Sequence, residues 1–323
     1  MLALVATHPS PDDPLAALEV GERAAPDPPP GWVTVHVRAA SLNRHDLFTL
    51  LGTATPAKNL PIVLGTDAAG VTDDGREVIC HAVVPNPGVE HADETDLFGS
   101  VSLLSEVYDG THAQQVAVPA RNLVDKPSDL SFAQAACLPT AWLTAYRMLF
   151  TKAAVGPGAR VLVQGAGGGV ATAAIVLASA AGCSVYVTSR DAAKRERALA
   201  IGAQGAFEPG ARLPERVDAV IETVGEATFD HSLKSLQPGG IVVVAGATTG
   251  SHPSAQLNRV FAKQLRVAGS SVGTRSELER LLRMLVVTGA RPIISDEIPL
   301  GEGRAAYQRM LDGDHFGKLV LTA

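Results

Sequence analysis

The stretch VLVQGAGGGVATA, residues 161–173, decides how the rest of the chain is read. An apolar run ends in Gly165, Gly167, Gly168 and Gly169, and Val170 then opens a segment of small residues. A chain gives up side chains in this way where another group must approach its backbone. Strand, glycine turn and helix in succession form the first βα turn of a doubly wound sheet. There the unpaired N–H groups and the dipole of the helix start favour an anion, and the diphosphate of a dinucleotide suits it. The common G-x-G-x-x-G spacing fits neither register: from Gly165 its third glycine would be Val170, and from Gly167 it would be Thr172. Gly165, Gly168 and Ala171 fit a turn one residue longer. The plainer reading is a tight turn that lets helix and sheet pack closely.

The next strand bears on which dinucleotide. It ends in VTSRDAAKRERA, residues 187–198. An NAD-selecting site places an acid at such a strand end for the ribose 2′-hydroxyl. Here Ser189 and Arg190 stand there, with Lys194 one turn on, a set suited to a 2′-phosphate. NADPH is therefore expected over NADH, with Asp191 one residue away as the feature that keeps NADH open. Arg195 and Arg197 read as a solvated helix face.

Working outward, strands and helices alternate: strand 160–164, helix 169–181, strand 184–189, helix 191–201, then VDAVIETVG, EATFDHSLKSLQ and GGIVVVAGA. Continuously apolar strands between helices predict a parallel sheet covered on both faces. The run VATAAIVLASAAGCSVYV, 170–187, imitates a membrane span but breaks at Gly182, and reads as a buried helix followed by a buried strand. Before residue 130 the pattern is different. GWVTVHVRA alternates Val33, Val35 and Val37 with polar positions, and short apolar runs follow between turn residues, which predicts a small antiparallel barrel or sandwich. Ser276 and Glu279 have the spacing of a capping box for a helix ending at Gly289.

With 323 residues, 46% hydrophobic and 19% charged, the chain suits two domains with large cores. A net charge of −6 gives no basic footprint for nucleic acid. Cys80, Cys137 and Cys183 lack CxxC spacing and read as buried thiols. The acidic 85–111 loop carries His91, Asp93, Glu94 and Asp96, which read as a surface cluster rather than a metal site. The N-terminus has no basic region ahead of an apolar one, so no signal peptide and a cytoplasmic location are expected.

The whole chain resembles the medium-chain dehydrogenase/reductase superfamily, through SLNRHDLFTLLG, LGTDAAGV, LPTAWLTAYRML, VLVQGAGGGVA, VIETVG, GGIVVVAGATTG and FGKLVL. The resemblance implies a GroES-like β-barrel domain, 1–140 completed by 270–323, and a Rossmann domain, 141–269. It is strongest to the zinc-lacking, quinone oxidoreductase-like branch. Where zinc enzymes of the superfamily place a Cys, a His–Glu pair and a last ligand, this chain has Asn43, Thr66–Asp67 and Thr140. The structural zinc lobe would fall in 85–111, which has no Cys. No metal is therefore expected. The resemblance places Thr140, Thr144, Thr223, Val224, Gly246 and Ala247 at the nucleotide, and Lys318 near its diphosphate. It places His45 at a proton-relay position, as a candidate proton donor or substrate contact.

Without a metal, an isolated carbonyl lacks a group to hold the charge that hydride transfer creates. A quinone or an α,β-unsaturated carbonyl delocalises that charge. The expected activity is thus hydride transfer from NADPH to such a substrate, with protonation from water, His45 or Tyr146, and Asn43 donating to the substrate oxygen. The alternatives are a metal-dependent alcohol dehydrogenase or carbonyl reductase using Asp67, and a non-catalytic NADPH-binding protein. A homodimer is expected from the resemblance alone.

Overall fold

A computed structural model describes residues 1–86 and 100–323. The acidic cluster His91, Asp93, Glu94 and Asp96 lies outside the described residues. The chain divides into two compact units, one of residues 1–140, 274–282 and 294–323, the other of 141–273 and 283–293.

The first unit is built on the long strand Trp32–Ser41. Its alternation is real: Val35 and Val37 are buried while Arg38 is exposed. One edge pairs antiparallel with Asp67–Thr72. The other edge is shared, with Gln115–Pro119 along its first half and Lys318–Thr322 at its end. Strands Glu77–Cys80, Leu123–Asp125 and Ile294–Pro299 extend this to a seven-stranded sheet. A three-stranded sheet of Leu18–Glu22, Leu2–Ala6 and Ile62–Val63 accompanies it. Val35, Val37, Ala68, Val78, Val116 and Val118 form one core. A second gathers Leu4, Leu47, Leu50, Tyr307, Met310 and Leu319.

The register decides the chemistry of this unit. Ser41 pairs with Asp67 on one side and with Val320 on the other. Lys318, at the start of the last strand, is thereby set beside Leu42 and Asn43, where Trp32–Ser41 gives way to helix Arg44–Leu50.

The second unit is a six-stranded parallel sheet. Its order is Gly205–Phe207, Ser184–Thr188, Arg160–Gln164, Val217–Glu222, Leu236–Val244 and Arg266–Gly269. In chain order these strands run third, second, first, fourth, fifth and sixth. The direction of winding thus reverses between Arg160–Gln164 and Val217–Glu222, which is where doubly wound sheets bind nucleotides. Val161, Leu162 and Val163 are wholly buried, as expected of a strand covered on both faces.

One local expectation needs correction. The capping box sits two residues early: Thr274 Oγ1 accepts from Glu277 N at 3.1 Å and Glu277 Oε2 accepts from Thr274 N at 2.8 Å. Both pairs have the right spacing, but the chain turns into the helix at Thr274. The helical run after Ser131 is interrupted: wide π-type turns at Leu138–Trp142 and Arg147–Lys152 flank one ordinary turn at Leu143–Tyr146.

Candidate functional site

In the second unit the glycine turn is shaped by backbone demands. Gly165 has φ +81° and its missing Cβ would lie 3.5 Å from Val224 Cγ2, so the first and fourth strand ends meet there. Gly168 caps helix Gly169–Ala180, and a Cβ on it would meet nothing within 4 Å. The space in front of the helix start is therefore open. Lys194 lies across the turn, with Cδ 2.7 Å and Nζ 3.2 Å from where a Cβ on Gly167 would stand. A side chain at 167 would displace that cation.

The strand end at 188–191 is more organised than a solvated helix face. Asp191 caps helix Ala192–Ala200, its Oδ1 accepting from Lys194 N at 3.2 Å. One oxygen of that carboxylate is thus engaged with its own helix. Arg195 donates to Ser189 O at 2.7 Å and to Arg190 O at 3.3 Å, and pairs with Glu208 at 3.5 Å. It clamps the loop, contrary to the expectation of a merely solvated side chain. Arg190 itself is exposed.

The fourth and fifth strand ends interlock. Gly225 has φ +94°, and a Cβ there would fall 2.5 Å from Gly250 O and 2.8 Å from Ala247 Cα. Thr249 donates from both N and Oγ1 to Val224 O at 2.8 Å. A Cβ on Gly246 would come 3.0 Å from Thr223 O. Thr223, Val224, Gly246 and Ala247 thus share one edge of the unit. Thr144 is buried, and Tyr146 is half-buried against Phe150 with ring centroids 5.0 Å apart.

In the first unit Asp67, Asn43, Thr66, Ser41 and Lys318 form a buried cluster. Asn43 Nδ2 donates to Asp67 Oδ2 at 2.8 Å and to Thr66 Oγ1 at 3.0 Å. Ser41 donates to the same Asp67 oxygen at 2.8 Å. Thr66 and Thr140 share a hydrogen bond of 3.0 Å. Lys318 Nζ donates to Leu42 O and Asn43 Oδ1, both at 2.6 Å, and lies 3.5 Å from Asp67 Oδ2. The ammonium has three acceptors and the residue is 3% exposed, so Lys318 is an integral member of this cluster. Both Nδ2 hydrogens of Asn43 are likewise engaged. In this arrangement Asn43 holds Asp67.

His45 lies on helix Arg44–Leu50 with Nε2 2.9 Å from Glu106 Oε1, and Glu106 Oε2 accepts from Leu103 N at 2.7 Å. Beneath it Asp46 Oδ2 accepts from Asn43 N at 2.7 Å. His112, wholly buried, shares a hydrogen bond of 2.9 Å with Tyr307 and stands 4.0 Å from Asp46. Desolvation raises the Asp46 carboxyl above its ordinary range and, despite the pull of Asp46, lowers His112 below its own. Burial pushes the Cys80 and Cys137 thiols up to about 12, so neither is a thiolate nucleophile. Sequence reasoning missed Glu106, Glu222 and the His112–Tyr307 pair; Glu222 lies within the VIETVG stretch, and the others carry no local motif.

Family comparison agrees with this geometry. Residues 29–128 match the alcohol dehydrogenase GroES-like domain and residues 169–286 the zinc-binding dehydrogenase domain. A zinc-type alcohol dehydrogenase-like protein of Schizosaccharomyces pombe is 31% identical over 90% of this chain and 91% of its own. The chain belongs to the medium-chain dehydrogenase/reductase superfamily. As a member it is an oxidoreductase by descent. An acryloyl-coenzyme A reductase of Metallosphaera sedula is 31% identical over 94% of this chain and 96% of that protein. A crystal structure of an NAD-dependent alcohol dehydrogenase superposes with a TM-score of 0.92, at 32% identity and full coverage of both chains.

Two groups common in the superfamily can be tested against these residues. A dinucleotide fits the second unit: the turn has open space before a helix start and a cation across it. A catalytic zinc does not fit the first unit. Its ligand positions hold an amide, two hydroxyls and one carboxylate, and the carboxylate oxygen facing them already receives Ser41, Asn43 and Lys318. Such a set is poor in the N and S donors of tetrahedral zinc, and it includes an ammonium that a metal ion would repel.

Proposed function

We propose that the chain is an NADPH-dependent, zinc-independent reductase of quinones or α,β-unsaturated carbonyl compounds. The observation that carries this reading is the buried Lys318–Asp67–Asn43 cluster at the superfamily's metal position. The chemistry a bound NADPH would supply is hydride donation from nicotinamide C4. The turn residues Gly165, Gly167, Gly168, Gly169 and Val170 would admit its diphosphate, and Arg190, Ser189 and Lys194 its 2′-phosphate. The capping role of Asp191 supports this preference, because it commits one oxygen of that acid to its own helix. Thr140, Thr144, Thr223, Val224, Gly246 and Ala247 would line the nicotinamide end.

The substrate follows from the charge that must be accommodated. Conjugated acceptors spread the incoming electron pair onto an enolate or quinol oxygen, so the protein need supply only hydrogen bonds and a proton. His45, whose Nε2 is fixed by Glu106, would offer its other ring nitrogen, Nδ1, as the proton-holding atom, with Tyr146 and water as the other candidates. Similarity to an acryloyl-coenzyme A reductase supports the α,β-unsaturated carbonyl among the two substrate classes.

A second copy of the chain is the expected partner. The parallel sheet ends on Arg266–Gly269, and Val267, Leu257 and Phe261 beside that edge are 52%, 71% and 69% exposed. A free strand edge flanked by apolar side chains favours strand addition.

The test is oxidation of NADPH by the purified protein with acryloyl-CoA, an alkenal, a simple ketone and a para-quinone, each with and without chelator, with metal content measured on the same sample. Turnover of a conjugated acceptor, unaffected by chelator, is expected. One zinc per chain with chelator-sensitive ketone reduction would replace this reading with a metal-dependent dehydrogenase. Tight NADPH binding with no acceptor turned over would leave a nucleotide-binding protein.

A further inference from the structure

Beneath the turns of the second unit lies a buried hydrogen-bond chain that no step above uses. Gly165 N donates to Thr188 Oγ1 at 3.4 Å, and Thr188 donates to Gln164 Oε1 at 2.5 Å. Gln164 Nε2 donates to Ser232 Oγ at 3.0 Å and bonds His231 Nδ1, also at 3.0 Å. Ser232 donates to Glu222 Oε2 at 2.6 Å. Glu222 Oε1 then accepts from Val224 N at 2.8 Å, from Gly225 N at 3.1 Å and from Thr228 Oγ1 at 2.9 Å. Gln164, Glu222 and Ser232 are wholly buried and Thr188 is 1% exposed.

Every donor in the chain points the same way, toward the Glu222 carboxylate. Hydrogen bonds in series polarise one another, and a buried anion with four donors in low dielectric is held hard. The chain links three strand ends: Gln164–Gly165 of the first strand, Thr188 of the second and Glu222–Gly225 of the fourth. These are the ends where the sheet reverses its winding. The turn at 223–225 also needs the Gly225 conformation at φ +94°, which the two bonds to Glu222 stabilise.

We propose that Glu222, acting through Ser232, Gln164 and Thr188, is a positioning residue that sets the glycine turn and the 223–225 turn in register for one dinucleotide. This rests on the reading of the 165–170 turn as a dinucleotide site. Glu222 does not itself touch the nucleotide. The chain makes the two turns one unit, so loosening either end loosens both.

The decisive variant is Ser232→Ala, because Ser232 touches neither turn and the change removes only the central link. Glu222→Gln is the second, keeping shape while removing the charge. Both are made in the full chain, with two readouts: the dissociation constant for NADPH by nucleotide fluorescence, and amide hydrogen exchange without nucleotide. Leaving a buried partner unsatisfied in each predicts about tenfold weaker binding. The double variant is expected to bind about as weakly as either single one, since a chain cut once is cut. Exchange should quicken at Gly165 as well as at Val224 and Gly225 in both variants. A Ser232→Ala protein with unchanged NADPH affinity, or with exchange altered only on the Glu222 side, overturns the inference. A wild-type protein that binds no nicotinamide dinucleotide refutes the site reading instead, and the exchange pattern still decides whether the turns are coupled.

Discussion

Replacing Lys318 by Met is the sharpest perturbation of the first unit. The methionine keeps the length of the side chain and removes its charge. Asp67, wholly buried, would retain Ser41 and Asn43 as donors but lose its only cation within 4 Å among the described residues. Leu42 O and Asn43 Oδ1 would each lose a bond of 2.6 Å. Breaking a buried ion pair from one side costs about 3–5 kcal/mol, because the remaining charge is uncompensated. For a unit of the size of the first one, unfolding by itself, that corresponds to a fall of roughly 6–20 °C in melting temperature. The partner variant is Asp67→Asn, which keeps an acceptor for Ser41 and Asn43. Combined with Lys318→Met it leaves no net charge in the cluster, and most of the lost stability should return, with a coupling of about 2 kcal/mol or more. The assay is urea and thermal unfolding of the four proteins at neutral pH. If Lys318→Met stays within about 1 kcal/mol of wild type, or if Asp67→Asn worsens it further, the ammonium does not balance this carboxylate and the account of the metal position fails.

Two further outcomes are expected. Arg190→Ala with Lys194→Ala should weaken NADPH about 10–100-fold and leave NADH within twofold, since charge-assisted bonds to a phosphate are absent with NADH; equal losses for both nucleotides would assign the cations to the shared diphosphate. In the buried pair, His112 is lowered and Asp46 is raised, so their contributions run in opposite directions as pH falls. Below about pH 6.5 the unfolded chain protonates its histidine before the folded one does, and His112 costs up to about 1.4 kcal/mol per pH unit until its own lowered value is reached. Asp46 takes a proton in the folded state first and gains stability over the window between its raised value and the ordinary one. His112→Gln should therefore lose stability less steeply on acidification than wild type; parallel urea midpoints across pH 7 to about 5 would refute this.

The two sheets could be read from periodicity because their causes are local. Val33, Val35 and Val37 alternate because one face of that strand is buried, and VLV runs unbroken because both faces are. The glycine turn was equally legible, since the positive φ at Gly165 disfavours a side chain and Gly168 leaves the space before the helix open. Asp191 as a helix cap was within reach of sequence reasoning too, as an acid directly before a helical run. The Lys318 cluster was not. Its partners are 275 residues away at Asn43 and meet only through the antiparallel register of the closing strand. Glu106 is likewise brought to His45 across 61 residues. Thr274 and Ser276 each had an acid three residues on, and only the path of the chain into the helix separates them. The Glu222 chain is made of common polar residues whose direction of donation cannot be read without coordinates.

The lysine in the first unit also bears on what single substitutions can achieve. A cysteine at 43 would stand next to an ammonium and remove a donor from Asp67, and a histidine at 66 would remove the acceptor of the other Asn43 hydrogen, so neither change alone builds a metal site. Several side chains would have to be exchanged together before a zinc ion found a full set of donors here. The salt bridge thus guards the pocket against single-step capture of a cation.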